Sequence, residues 1–229
     1  CSFRVIQIML SSLLRYDVTR DALLRAGVVD VPALIELQRL IERAWSMGFD
    51  VESARELESL QGETTWIGAH EVVALLRSLG IRAFVTDFDT ATMQGKKDLF
   101  NWVFEYFATR CGAARLRQGT CTYCTSTRRS KFIPPLYLLY PGHSMTVVGC
   151  EQYADKSRAL LVLDGQKQPV ETLRRTTQIT FRHAVTSHVF AKPRFQVVGI
   201  GSTPSPVYAS QSEIEAAKVV VSQAPRVSQ

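Results

Sequence analysis

The sequence contains no uninterrupted apolar run near the ~18 residues that a membrane-spanning helix requires. Its longest candidate, Ile133 to Pro141, is broken by three prolines and carries two tyrosines, so no membrane partner is expected. Cysteine is scarce, with five in 229 residues. Cys1, Cys111, Cys121, Cys124 and Cys150 are too scattered for a small disulfide scaffold. An odd number leaves at least one thiol free and suits a reducing, intracellular setting, cytoplasm or nucleus. A signal-peptide pattern is missing and the first residue is not methionine, so a trimmed or processed chain is expected. No aromatic residues alternate with the basic side chains Arg110, Arg115, Arg117, Arg128, Arg129 and Lys131; Tyr123 alone stands among them. That stretch reads as a solvated loop rather than a nucleic-acid surface. No internal repeat is present.

What the sequence does contain is a globular balance. Hydrophobic residues make up 46% and charged residues 21%, with a net charge of +6, enough to build a full core. Apolar residues recur at helical spacing over 2–14, 33–46, 67–79 and 98–110. Pro32 suits the start of the second helix; Thr64 or Thr65 could cap the third, and Gly80 could end it. Short apolar or alternating runs at 81–88, 136–140, 144–150, 160–163 and 195–200 read as strands. Helices first and most strands last favour an α+β fold. Residues 1–200 read as one domain with an exposed insertion at 111–131. Residues 201–229 read as a linker, Ser- and Pro-rich at 201–210, with a short helix at 213–221. A monomer is expected.

Three residues stand out chemically. Cys1 comes immediately before the first helix, and the backbone N–H groups of a helix start favour negative charge, here a thiolate. His143 lies in Pro141-Gly142-His143-Ser144, at the mouth of a strand. If Ser144–Cys150 and Ser157–Leu163 form a tight hairpin centred between Tyr153 and Ala154, His143 falls directly opposite Asp164. Directly opposed side chains have Cβ atoms about 5 Å apart, close enough for a carboxylate to orient an imidazole. A slip of one residue would separate them onto opposite faces. A thiolate nucleophile, an imidazole acid/base and an orienting carboxylate form a Cys-His-Asp constellation.

These residues sit in longer blocks. Cys1-Ser-Phe-Arg-Val-Ile-Gln-Ile-Met-Leu-Ser-Ser-Leu-Leu14 comes first, then Trp66-Ile-Gly-Ala-His-Glu71. Pro134-Pro-Leu-Tyr-Leu138, Gly142-His-Ser-Met-Thr-Val-Val-Gly149, Leu160-Leu-Val-Leu-Asp164 and Arg194-Phe-Gln-Val-Val198 follow. In this order, over about 200 residues, they resemble the ubiquitin-fold-modifier-specific proteases, and within them the zinc-finger-containing ubiquitin peptidase branch. The resemblance implies a papain-like cysteine peptidase fold, α+β, with N-terminal helices packed on a mostly antiparallel sheet. It implies Cys1 as nucleophile, His143 as base and acid, and Asp164 as orienting residue. The modifier-specific branch carries Asp-Pro-His where this sequence has Asp164-Gly165-Gln166, a departure that favours the ubiquitin branch. The family's oxyanion-hole glutamine precedes the cysteine and so falls outside these residues. Such a donor is typically worth about 2.7–4 kcal/mol in the transition state.

The implied substrate is ubiquitin or polyubiquitin, or else a ubiquitin-like modifier, cut after its C-terminal Gly-Gly. Trp66, Gly68 and Gly142 are candidate walls of a narrow channel, with core packing the alternative for Trp66. Asp87 and Asp89, with Glu71 behind them, are candidates for orienting a basic substrate surface; Glu71 could equally be a helix-surface charge. No cofactor is expected. Cys121, Cys124 and Cys111 supply three thiols and no nearby histidine, short of the four ligands of a structural zinc site, so no metal is assigned. Cys150 reads as a buried strand residue. A silent ubiquitin-binding module and an N-terminal-nucleophile hydrolase are the competing readings. The helix after Cys1, where the latter class would have a strand, argues against it.

Overall fold

The computed structural model describes residues 1–111, 132–153, 155–164, 181–184, 187–202 and 205–225. The 111–131 insertion, with Cys121 and Cys124, and the Gly165-Gln166 pair therefore lie outside the described residues, apart from the backbone of Cys111. The chain divides into two compact units. A helical unit comprises Ser2–Val85 and Val197–Gln223; a sheet unit comprises Cys1 and Thr86–Gln196, with the last residues of the chain.

The helical unit holds α1 (Ser2–Leu13), α2 (Asp17–Arg25), α3 (Leu34–Ser46), α4 (Val51–Leu57) and α5 (Ala69–Ser78). Helix α1 buries Val5, Ile6, Met9, Leu10 and Leu13, one stripe at helical spacing. Helix α3 buries Leu37, Ile41, Ala44 and Trp45 and lies against α5, which buries Val72 through Leu76 without a break. Burying one such aliphatic side chain is worth about 1.5–3 kcal/mol. The start of α5 differs from expectation. Neither Thr64 nor Thr65 caps it; Gly68 is the N-cap residue, and Glu71 Oε2 accepts the Gly68 N–H at 2.7 Å. Glu36 does the same for Ala33 at the start of α3, at 2.7 Å. A glutamate three residues into a helix can satisfy a backbone donor that the helix itself leaves open.

The strands are β1 (Ala83–Asp89), β2 (Leu136–Tyr140), β3 (His143–Gln152), β4 (Arg158–Leu163), β5 (Phe181–Ala184) and β6 (Arg194–Ile200); β1 up to Val85 and β6 from Val197 are grouped with the helical unit, and the rest, with α6 (Met93–Cys111), with the sheet unit. The strand order is β1-β6-β2-β3-β4-β5. The pairs β2–β3, β3–β4 and β4–β5 are antiparallel, so the α+β organisation holds: helices first, an antiparallel sheet after. Helix α6 buries Leu99, Phe100, Val103, Tyr106 and Phe107, and Arg158 on β4 lies over the Phe104 ring at 4.6 Å. Cys150 is buried on β3. No described helix is long and apolar enough to cross a membrane.

The β3–β4 register corrects the tight-hairpin expectation. The turn is not centred between Tyr153 and Ala154. Gln152 pairs with Arg158, and the turn closes through Tyr153 N–H to Ser157 O at 2.9 Å. Lys156 turns the chain in the left-handed region, at φ +65°. The longer turn moves β4 along β3, and a bulge between Val147 and Gly149 then moves it back by one residue. Beyond the bulge Thr146 faces Leu163, so Asp164 follows on opposite Met145, not opposite His143. The bulge decides the faces. Without it the period-two alternation would leave His143 and Asp164 on opposite sides of the sheet; with it they share one.

Candidate active site

His143 opens β3 directly after a two-residue turn. Tyr140 pairs with His143, and Pro141-Gly142 connects them. Gly142 has φ +90°, the left-handed value that the second central residue of a type II turn needs behind a proline. A side chain on Gly142 would meet nothing within 4 Å, so its glycine is required by the backbone and not by crowding.

The His143 and Asp164 side chains meet on the diagonal that the bulge creates. Diagonal neighbours on one face are about 7–8 Å apart at Cα, within reach of an imidazole and a carboxylate. His143 Nε2 donates to Asp164 Oδ1 at 2.9 Å, and both residues are buried. A carboxylate only accepts, so it fixes the proton on Nε2 and leaves a lone pair on Nδ1. That Nδ1 is buried and has no hydrogen-bond partner among the described residues. Tyr140 presents its ring to His143 at 5.6 Å between centroids and 71° between planes. Burial pushes the Tyr140 phenol up from its ordinary range, and the negative charge of Asp164 adds to that. The phenol therefore stays neutral near pH 7. Cys1 carries a free, half-buried thiol and is grouped with the sheet unit, as His143 and Asp164 are.

The other site candidates divide between the units. In the sheet unit, Asp87 and Asp89 point out of β1 while Thr86 and Phe88 point in, the alternation of an ordinary strand. Asp87 Oδ1 accepts from Gln196 Nε2 at 2.9 Å, and Asp89 Oδ1 accepts the Ala91 N–H at 3.0 Å. In the helical unit, Trp66 is 64% exposed and thus does not pack in the core. Gly68 and Glu71 form the helix start described above, and the Glu71 carboxylate is buried. Ser2, next to Cys1, donates from its hydroxyl to Ile67 O at 3.2 Å, which ties the first turn of α1 to the segment before α5. The described residues hold no cluster suited to a metal ion. Tyr140 and Ser2 were not among the sequence candidates. The signal for Tyr140 was available: a Pro-Gly pair between two strands places the residue before it opposite the residue after it.

Comparison with known proteins gives the class, a cysteine-type peptidase. Residues 1–198 match the family model described as Peptidase family C78, and the chain belongs to that family. Zinc finger-containing ubiquitin peptidase 1 of Bos taurus is 39% identical over 168 residues, 72% of this chain and 26% of that protein. The Homo sapiens protein of the same name is 37% identical over the same length. Ubiquitin carboxyl-terminal hydrolase mug105 of Schizosaccharomyces pombe is 29% identical over 130 residues, 56% of this chain and 44% of that protein. The chain spans about a quarter of the length of the first two relatives. A crystal structure of UfSP from C. elegans is similar at a TM-score of 0.46 and 14% identity, covering 78% of this chain and 26% of that one.

Proposed function

We propose that this chain is a thiol isopeptidase that cuts the bond after the C-terminal Gly-Gly of ubiquitin, in polyubiquitin chains. The observation that carries this reading is the buried His143–Asp164 pair with Nδ1 unpartnered. The names of the relatives, ubiquitin peptidase and ubiquitin carboxyl-terminal hydrolase, supply the substrate.

The steps follow from the chemistry of a thiol, an imidazole and a carboxylate. Asp164 holds the proton on His143 Nε2, so Nδ1 acts as base toward the Cys1 thiol. The thiolate attacks the carbonyl carbon of the terminal glycine, and the carbonyl oxygen takes the negative charge. As the C–N bond breaks, the imidazolium returns its proton to the leaving lysine amine, and a thioester remains on Cys1. Water enters and gives a proton to Nδ1, and its hydroxide attacks the thioester. Cys1 Sγ leaves as thiolate beside the imidazolium, and ubiquitin leaves as its carboxylic acid, which gives its proton to solvent. The helix start behind Cys1 favours the thiolate at both stages. Asp87 and Asp89 offer exposed negative charge to a basic substrate surface, Trp66 offers an exposed indole, and Gly142 keeps the turn beside His143 free of a side chain. Glu71 acts through Gly68, whose N–H it holds.

The test uses two C-terminal electrophilic probes, one built on ubiquitin and one on the ubiquitin-fold modifier. The expected result is a covalent adduct with ubiquitin that disappears in Cys1→Ala and forms at least about 100-fold more slowly in His143→Ala. An adduct with the modifier alone would transfer the activity to that substrate. Ubiquitin binding without any adduct would make the chain a binding module.

A further inference from the structure

We infer that Tyr140 is a positioning residue, whose ring sets the plane of the His143 imidazole and thereby the direction of the Nδ1 lone pair. The inference rests on the reading of His143 as the base.

A single hydrogen bond fixes one point of a ring. With Nε2 held by Asp164 at 2.9 Å, the imidazole can still tip about that bond, and tipping swings Nδ1 away from any fixed target. A second contact on the flank of the ring removes this freedom. Tyr140 makes that contact in the T-shaped arrangement that aromatic rings prefer, centroids 5.6 Å apart. The direct cross-strand pairing of Tyr140 with His143 puts both side chains on one face, so the contact is built into the hairpin.

The Tyr140 ring is itself braced. It lies over Phe195 at 5.2 Å, Phe195 lies over Phe190 at 5.3 Å, and Phe190 meets Phe100 edge-on at 4.8 Å. All three phenylalanines are at most 2% exposed. The stack runs from β2 through β6 and the 188–191 turn to α6, so Tyr140 is backed by three further elements. Among the described residues, Asp164 and Tyr140 are the titratable side chains in hydrogen-bond or ring contact with His143. One supplies charge, and the other supplies a neutral, planar wall.

The test compares Tyr140→Leu, which keeps apolar bulk without a planar ring, with Tyr140→Phe, which keeps the ring without the hydroxyl. Three readouts are taken: turnover of a ubiquitin C-terminal coumarin amide, iodoacetamide alkylation of Cys1, and the imidazole nitrogen shifts of His143 by NMR. Tyr140→Leu is expected to lower kcat by about tenfold or more, since small misplacements of a reacting group cost up to about 100-fold, with KM unchanged. Its Cys1 alkylation slows in parallel, and its imidazole shifts move from a single Nε2–H tautomer toward the average of two. Tyr140→Phe restores the parent values in all three. The inference fails if Tyr140→Leu keeps the parent's tautomer and alkylation rate. It fails equally if kcat drops only as far as the folded fraction does. Should the parent protein not turn over the ubiquitin amide, the substrate assignment falls, while alkylation and NMR still decide the role of Tyr140. An alkylation rate indifferent to His143→Ala would remove the base, and the positioning role with it.

Discussion

At the scale of single residues, Asp164 is where burial and chemistry are hardest to separate. Its carboxylate is buried and receives the Nε2–H of His143, and it also lies close enough to Tyr140 to raise the phenol. Removing it leaves a buried imidazole donor without its acceptor, at a cost of about 1–3 kcal/mol. The same change frees the tautomer, because nothing then prefers the proton on Nε2. Asp164→Ala should therefore lower kcat by about 1000-fold, within the range of general acid–base contributions, and also lower the urea midpoint. Asp164→Asn keeps one acceptor oxygen but loses the charge and exchanges the other oxygen for a donor NH2, so its urea midpoint should stay nearer the parent's and its kcat should fall between the two. Turnover and denaturation measured on the same three proteins check both parts. Equal kcat in the parent and the alanine variant would show that His143 needs no orienting carboxylate. Both residues were legible in the sequence, but the path between them was not. The tight hairpin put them face to face, whereas the structure joins them diagonally across a bulge, and neither the bulge at Val148 nor the five-residue turn leaves a mark in the alternation of Ser144–Cys150.

Among the elements, α6 shows how closely one backbone segment is set against another. A Cβ placed on Gly95 would stand 1.7 Å from the carbonyl oxygen of Asp89 and 2.9 Å from its carbon. Backbone cannot move aside as a flexible side chain can. Gly95→Ala should thus cost about 3 kcal/mol and displace the end of β1, where Asp89 lies; thermal unfolding measures the cost. A melting temperature within error of the parent would mean that the first turn of α6 moves freely. Sequence periodicity located the apolar half of this helix, 98–110, and missed the turn at 93–97, because Met93-Gln-Gly-Lys-Lys97 has no apolar stripe. That turn is held instead by Thr92, whose hydroxyl accepts the Gly95 N–H at 3.1 Å. Helices α2 and α4 escaped for the same reason. Helix α2 buries only Thr19, Ala22 and Leu23, with the Thr19 hydroxyl donating to Leu13 O at 2.6 Å, and α4 buries only Ser53. Periodicity detects elements that bury an apolar face, and it is silent on those that bury only a few scattered residues.

Over the whole molecule, the stretch that composition marks as linker and tail belongs, in its described residues up to Gln223, to the helical unit. Arg82 N–H donates to Pro206 O at 2.8 Å, and Tyr208 N–H to Gly80 O at 3.0 Å. Helix α7 (Gln211–Ala216) is capped by Ser210, which accepts the Glu213 N–H at 3.3 Å, and Arg82 pairs with Glu213 at 2.5 Å. Ile214 and Val220 pack on the buried Ala44, Phe49 and Ala74. Arg77 joins these parts: it donates to Ala83 O, Ala217 O and Val219 O, each at 2.8 Å. Burial lowers its guanidinium pKa, and Tyr208 and Asp50 offset part of that. Arg77→Met keeps most of the stem and leaves three carbonyls without this donor. The expected loss is about 3 kcal/mol, since hydrogen bonds to a charged group are worth about 1.5–3 kcal/mol each and part is recovered from water. Arg77→Lys should recover only some of it, because an ammonium cannot span three acceptors in the fixed fork of a guanidinium. Hydrogen exchange locates the effect. The amides of Lys218 and Gln223, which donate to Glu215 O and Val85 O, should be protected in the parent and exchange at least about tenfold faster in Arg77→Met, a factor that corresponds to about 1.4 kcal/mol of local opening. Coil-like exchange at both amides in the parent protein would mean that the segment is the free tail its composition suggests, and that the interactions of Arg77 do not hold it in solution.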